Sequence, residues 1–237
     1  MPLSPTLRAA RILLASSALM ATGASASLAQ EISQPEKILF QSKHFGSIKK
    51  PTRIAYAYHQ ESAAPDTFDD AVTLTVTHPN ADGTASVAAQ FLTGSHAIPI
   101  APIDHAQGNP AILGFLERDI AEMKRLTGGS TNYFRKRIRL ALAAPDAAIK
   151  AITVNYAGRS VAAQEITVRP YVDDPLKARF LQFAGKGYVF VISDAVPGTV
   201  FQVYTTLPTD QSAAAIATTM TIVQPDPVPK KNAGPGT

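Results

Sequence analysis

Between Val72 and Thr77 the chain alternates without a break, with Val72, Leu74 and Val76 in one register and Thr73, Thr75 and Thr77 in the other. Successive side chains of a strand point to opposite faces, so this stretch is a strand with one apolar face and one hydroxyl face. A helix would scatter both sets around its circumference. The segment therefore commits its surroundings to a sheet covered on one side, and its neighbours agree. Ile54, Tyr56 and Tyr58 repeat the alternation upstream, and Val87, Ala89 and Phe91 continue it after the turn Asn80-Ala81-Asp82-Gly83. Together they predict an antiparallel meander.

A second β group lies further on. Ile152, Val154 and Tyr156 alternate, turn at Ala157-Gly158-Arg159-Ser160 and return through Ile166 and Val168 to a stop at Pro170. Tyr188 to Ile192 is apolar at every position, the pattern of a strand covered on both faces. The turn Val196-Pro197-Gly198 leads to Phe201 and Val203, and Ile216 to Val223 adds a last strand.

One helix is expected near residues 110–127. Asn109 can cap it, Pro110 suits its first position, Leu113, Leu116, Ile120 and Met123 make an apolar stripe, and Gly128-Gly129 ends it. Glu117, Arg118, Asp119, Glu122, Lys124 and Arg125 read as its solvated face. Residues 133–143 admit two readings. A strand aligns Arg135, Arg137 and Arg139 on one face, whereas a helix aligns Phe134, Ile138 and Leu142. The double glycine before, Pro145 after and the arginine alternation favour the strand. The fold class that follows is mainly β (α+β): a single curved antiparallel sheet or half-barrel with one main helix packed on it.

The two ends read differently from the middle. Arg8 and Arg11 precede the apolar run Ile12 to Met20, which is too short to anchor in a bilayer, and small residues follow at Ala24-Ser25-Ala26 and Ser27-Leu28-Ala29. This is the layout of a cleavable signal peptide, residues 1–29, cut after Ala29 or Ala26, and it places the remaining chain in a periplasm. Residues 30–223 form one domain, and residues 224–237, rich in Pro, Gly and Lys, form a loose tail. There is no cysteine for a lipid anchor or a disulfide. Losing Arg8 and Arg11 takes the formal net charge from +4 to +2, so charge gives no case for nucleic acid as a partner.

Candidate binding residues are few. Three arginines on one strand face, Arg135, Arg137 and Arg139, could grip a carboxylate or phosphate, with Glu117 and Asp119 on the neighbouring helix completing a polar cluster or simply pairing with them. Tyr56 and Tyr58 bring aromatic groups to the sheet. His44, His59, His78, His96 and His105 show no metal-binding spacing, and a loop site at His96, Asp104 and His105 is the weaker reading. Asp69-Asp70 and Asp173-Asp174 sit at element boundaries and read as turn residues. Nucleophile elbows, P-loops and dinucleotide fingerprints are absent from the sequence, so no cofactor or catalytic residue is expected.

Phe115-Leu116-Glu117-Arg118-Asp119, Asn132-Tyr133-Phe134-Arg135, Arg169 to Pro175 and Ser193 to Gly198 resemble a family of uncharacterised exported proteins of Proteobacteria. That resemblance implies export and a single domain and brings no activity with it. More loosely, the arrangement of strands around a helix is similar to the half-barrel of periplasmic lipoprotein carriers, whose concave apolar face holds acyl chains. The expectation is a soluble periplasmic binding or chaperone-like protein, with a lipid-like small molecule or another envelope protein as partner and no membrane anchor. The alternatives are an enzyme acting on an anionic or glycan substrate through the arginine cluster, and a structural partner in an envelope complex.

Overall fold

The alternating segment forms the middle of a sheet edge group: β1 (Thr52–Glu61), β2 (Phe68–Pro79) and β3 (Ala85–Phe91) pair antiparallel in sequence order, with Ile54 opposite Leu74 and Leu74 opposite Ala89. The computed structural model describes residues 32–61, 67–144, 147–207 and 217–224. The expected signal segment, the tail beyond Gln224, Pro145 and Ile216 lie outside the described residues.

A short strand, β4 (Ile103–Ala106), finishes this group on the far side of β3. The second group contains β5 (Ala148–Tyr156), β6 (Arg159–Val168), β7 (Gly187–Ile192) and β8 (Val200–Thr206), again antiparallel in sequence order. The β5–β6 turn has left-handed backbone at Ala157 (φ 51°) and Gly158 (φ 73°), the two-residue turn whose twist matches a hairpin. β9 (Ala217–Ile222) lies between β1 and β8 and joins the groups into one sheet of order β4-β3-β2-β1-β9-β8-β7-β6-β5. The sheet is curved and unclosed, a half-barrel.

Helices cover one face of it. α1 (Gln34–Glu36) opens on a capping box between Ser33 and Glu36 and runs into a π-helical stretch, Lys37–Gln41. α2 (Pro110–Thr127) starts where expected: the Asn109 side chain accepts from Ala111 N, and Gly128, at φ 69°, closes the C-terminus by donating to Lys124 O. Tyr56, Tyr58, Val72, Leu74 and Phe91 from the strands meet Ile112, Phe115, Ile120 and Met123 from α2 in one buried cluster. All six residues of β7 are buried, as their uninterrupted apolar run requires.

Two expectations fail. Residues Thr131–Ala143 are a helix, α3, not a strand. Ser130 caps it at Tyr133 N, and Phe134, Ile138 and Leu142, one turn apart, are its three buried residues. The four-residue apolar spacing decided the outcome, because only a helix lays all three against the core. The arginines, two residues apart, are thereby spread around the helix. The solvated face assigned to α2 is also wrong in part. Asp119 and Glu122 are buried, while Leu113, expected in the apolar stripe, is 51 % exposed. Relative to Phe115 they fall at i+4 and i+7, on the core side of the helix.

Candidate functional site

The expected polar cluster does not assemble. Arg135 donates two hydrogen bonds to Glu117 (2.8 and 2.7 Å) on the surface, and the pairing raises the guanidinium's pKa above its ordinary value. Arg139 is exposed. Arg137 turns the other way: Nε lies 2.9 Å from the buried Asp174 carboxylate, and Nε and Nη2 donate to Pro170 O. Tyr133 also donates to Asp174, and burial followed by that contact pushes its phenol up to about 12. Asp173-Asp174 thus holds a turn, since Leu176 N donates to Asp174 Oδ1 at 2.7 Å.

Asp119 lies instead at the centre of the core. Lys186, just before β7, pairs with its Oδ1, and Tyr188 donates to Oδ2 at 2.5 Å. Tyr171 and Tyr188 share a further hydroxyl contact at 3.2 Å. The Lys186 and Asp119 side chains are 1 % and 2 % exposed. Two charges withdrawn from water are tolerable only when paired and hydrogen-bonded, and here both conditions hold. Burial, then the Asp119 charge, raises the Tyr188 and Tyr171 phenols well above their ordinary value. Lys186 was not among the expected residues, and its signal is a lysine between Gly185 and Gly187 at the mouth of an uninterrupted apolar run.

Tyr56 and Tyr58 belong to the same core. Asn109 Nδ2 donates to Tyr56 Oη and to Gly198 O, both at 2.8 Å, while Tyr58 packs against the rings of Phe68, Phe91 and Phe115. Burial raises both phenols, and the Asn109 contact opposes it at Tyr56. His44 is buried beside them. Its Nε2 donates to Ile38 O at 2.7 Å and its Nδ1 accepts from Asn109 N at 3.0 Å, which defines a neutral ring; burial lowers its pKa. Among the described residues no three His, Cys, Asp or Glu side chains gather as a metal site requires, and no helix is long and apolar enough to cross a membrane.

A ligand-sized surface with accessible apolar groups lies elsewhere. Between α3, the start of β5, the end of β6 and the following loop runs an open groove of about 620 Å³. Leu140, Ala141, Ala144, Ala147 and Val172 line it, with Arg137, Arg169 and Asp173 adding polar groups. Leu140 is 44 % and Val172 40 % exposed, and Ile149 on β5 is also open to solvent. The volume falls inside the range of roughly 300–1,000 Å³ usual for small-molecule sites. Of the expected binding residues, only Arg137 lines it.

No known family model matches the chain, and no curated protein does. Several solved structures are similar to it, three of which illustrate the likeness. They are the lipoprotein LppX of Mycobacterium tuberculosis (12 % identity, 75 % of this chain and 88 % of that one, TM-score 0.29), a LolA superfamily protein of Nitrosomonas europaea (8 %, 81 % and 92 %, 0.24), and the hypothetical lipoprotein YmcC of Escherichia coli (15 %, 80 % and 94 %, 0.25). Likeness at this level leaves the chemistry of any site to this chain's own residues.

Proposed function

We propose that this is an exported, soluble protein that binds a hydrophobic or amphipathic small molecule in the groove between α3 and the β5–β6 hairpin. The observation that carries the reading is the groove itself. It is ligand-sized, and Leu140 and Val172 leave apolar surface exposed along it. Water gains nothing from contact with those side chains, so an apolar ligand that displaces it is stabilised by roughly 25 cal/mol for each Å² covered. Arg137 and Arg169 suit the polar end of an amphipathic ligand.

The space under α2 is a poorer candidate, because aromatic rings from β1, β3 and α2 fill it. The enzyme reading loses its motive with the cluster: Arg135 and Glu117 satisfy each other at the surface, and Asp119 is paired in the core.

Native mass spectrometry with solvent extraction, on protein purified from a periplasmic fraction, tests the proposal. One bound hydrophobic or amphipathic molecule per chain is expected, with occupancy lost in Leu140→Asp. Protein that is empty as purified and still empty after incubation with phospholipid vesicles and with oleate overturns it.

A further inference from the structure

The helical layer contains an arginine that forms no ion pair among the described residues. Arg125 is matched by Glu122, Arg135 by Glu117 and Arg137 by Asp174. Arg118 on α2 has no carboxylate partner among the described residues: its guanidinium hydrogen-bonds the Tyr58 side chain, and its Nε is buried without a hydrogen-bond acceptor. Buried donors in native proteins are almost always satisfied, so an orphaned guanidinium N–H indicates an acceptor that belongs there.

The surroundings give that acceptor a place. Arg118 lines a hollow of about 280 Å³, with Gln60, Phe68, His96 and Glu122 among its other walls. Phe68 holds the guanidinium from one side, with its ring centroid 5.7 Å from Cζ. Phe68 is itself clamped between Tyr58 (5.8 Å) and His96 (3.8 Å). The cation is therefore positioned by stacked rings rather than by a carboxylate. Gln60 is only 2 % exposed and lies on the same face of β1 as Tyr56 and Tyr58. Glu122, on the wall of the same hollow, forms its ion pair with Arg125, whose Nε donates to Oε1 at 2.9 Å.

We propose that this hollow is a second binding site, separate from the α3 groove, and that it takes the oxyanion of a small compound, a carboxylate or a phosphate, on the guanidinium of Arg118. A planar guanidinium offers two parallel donors that match two oxygens of such a group, which a point charge does not. The Gln60 carboxamide supplies a further donor or acceptor for the same ligand. The hollow is less than half the volume of the α3 groove, so it fits a compact polar metabolite and not an acyl chain.

Nitrogen-15 NMR on the full mature chain tests this, with inorganic phosphate and acetate titrated separately at constant ionic strength set by chloride. The expected result is a saturable shift of the Arg118 Nε–Hε signal and the Gln60 carboxamide, with a Kd of roughly 1 mM or tighter for at least one anion. Phosphate alone assigns a phosphate ligand, and acetate alone a carboxylate. Arg118→Gln should weaken binding at least tenfold, and Arg118→Lys, which keeps the charge but not the two-pronged edge, should weaken it less. Arg135→Gln, remote from the hollow, should leave it unchanged. Dispersed spectra of the variants establish that they fold. No saturable shift with either anion, undiminished binding in Arg118→Gln, or equal weakening in Arg135→Gln overturns the proposal.

Discussion

The α2 side and the α3 side of the half-barrel treat apolar residues in opposite ways. Under α2, Ile112, Phe115, Ile120 and Met123 are all buried against β1, β2 and β3, and the flank ends in a four-residue edge strand with Pro99 and Pro102 just before it. Under α3 only Phe134, Ile138 and Leu142 are buried, Leu140 and Val172 stay open, and the flank ends in the nine-residue, largely exposed β5, which contains no proline. Short length protects a sheet edge from unwanted pairing, and β5 is more than twice as long as β4. The difference teaches where to look for stability and where to look for recognition: most apolar residues of α2 go into the core, whereas α3 and the loop after β6 keep Leu140 and Val172 open along a ligand-sized groove.

If that division holds, mutations on the α2 side should act on folding. The largest effect is expected from Lys186→Met, which leaves Asp119 charged and unpaired in the core and should cost about 3–5 kcal/mol in urea denaturation. Adding Asp119→Leu should recover most of the loss, because an apolar pair of similar volume has no desolvation penalty. A double variant as unstable as the single one would mean that the core does not depend on this pair being matched.

Gly114→Ala comes next. A Cβ there would sit 2.3 Å from the Phe91 ring, so the substitution should destabilise by about 1–3 kcal/mol through overpacking, despite alanine's better helix propensity. A rise in melting temperature would show that α2 can move away from β3, and that this side is less closed than its packing implies.

The third is a pH dependence. The folded state holds His44 neutral with a lowered pKa, whereas the unfolded chain takes up its proton near the ordinary value of 6.5. The unfolded state therefore binds more protons between these two values. Stability should be fully present above about pH 6.5 and decline as the pH falls toward the folded pKa, by up to about 1.4 kcal/mol per pH unit. Denaturation midpoints measured from pH 7.5 to 5 check this, and His44→Gln should flatten the slope.

The smallest stability effect belongs to the α3 side. Leu140→Asp should change unfolding free energy by less than about 0.5 kcal/mol, since the side chain is already well exposed, yet it should abolish retention of an apolar ligand. Substantial unfolding by this variant would remove the contrast between the two sides.

The strands were legible because a period of two cannot be mistaken for anything else when it runs through Val72 to Thr77, and α2 was legible from its caps at Asn109 and Gly128. α3 was misread because arginine alternation carries no packing energy, while the weaker-looking series Phe134, Ile138, Leu142 does. The charged face of α2 misled for the converse reason. Charge predicts exposure only when no partner waits inside, and Lys186 lies 67 residues away in sequence. The groove had no sequence signal, since its walls are alanines and single apolar residues that become a surface only when α3, β6 and the loop after it converge.

The position of β9 has a consequence in time. Among the described residues it is the last strand in chain order, yet its neighbours are β1 and β8, and without it the sheet falls into two separate meanders with facing raw edges. Synthesis from the N-terminus therefore cannot complete the sheet strand by strand. The chain must wait for β9 and then close contacts between segments more than 150 residues apart, such as Tyr56 with Ile222, which makes for slow folding.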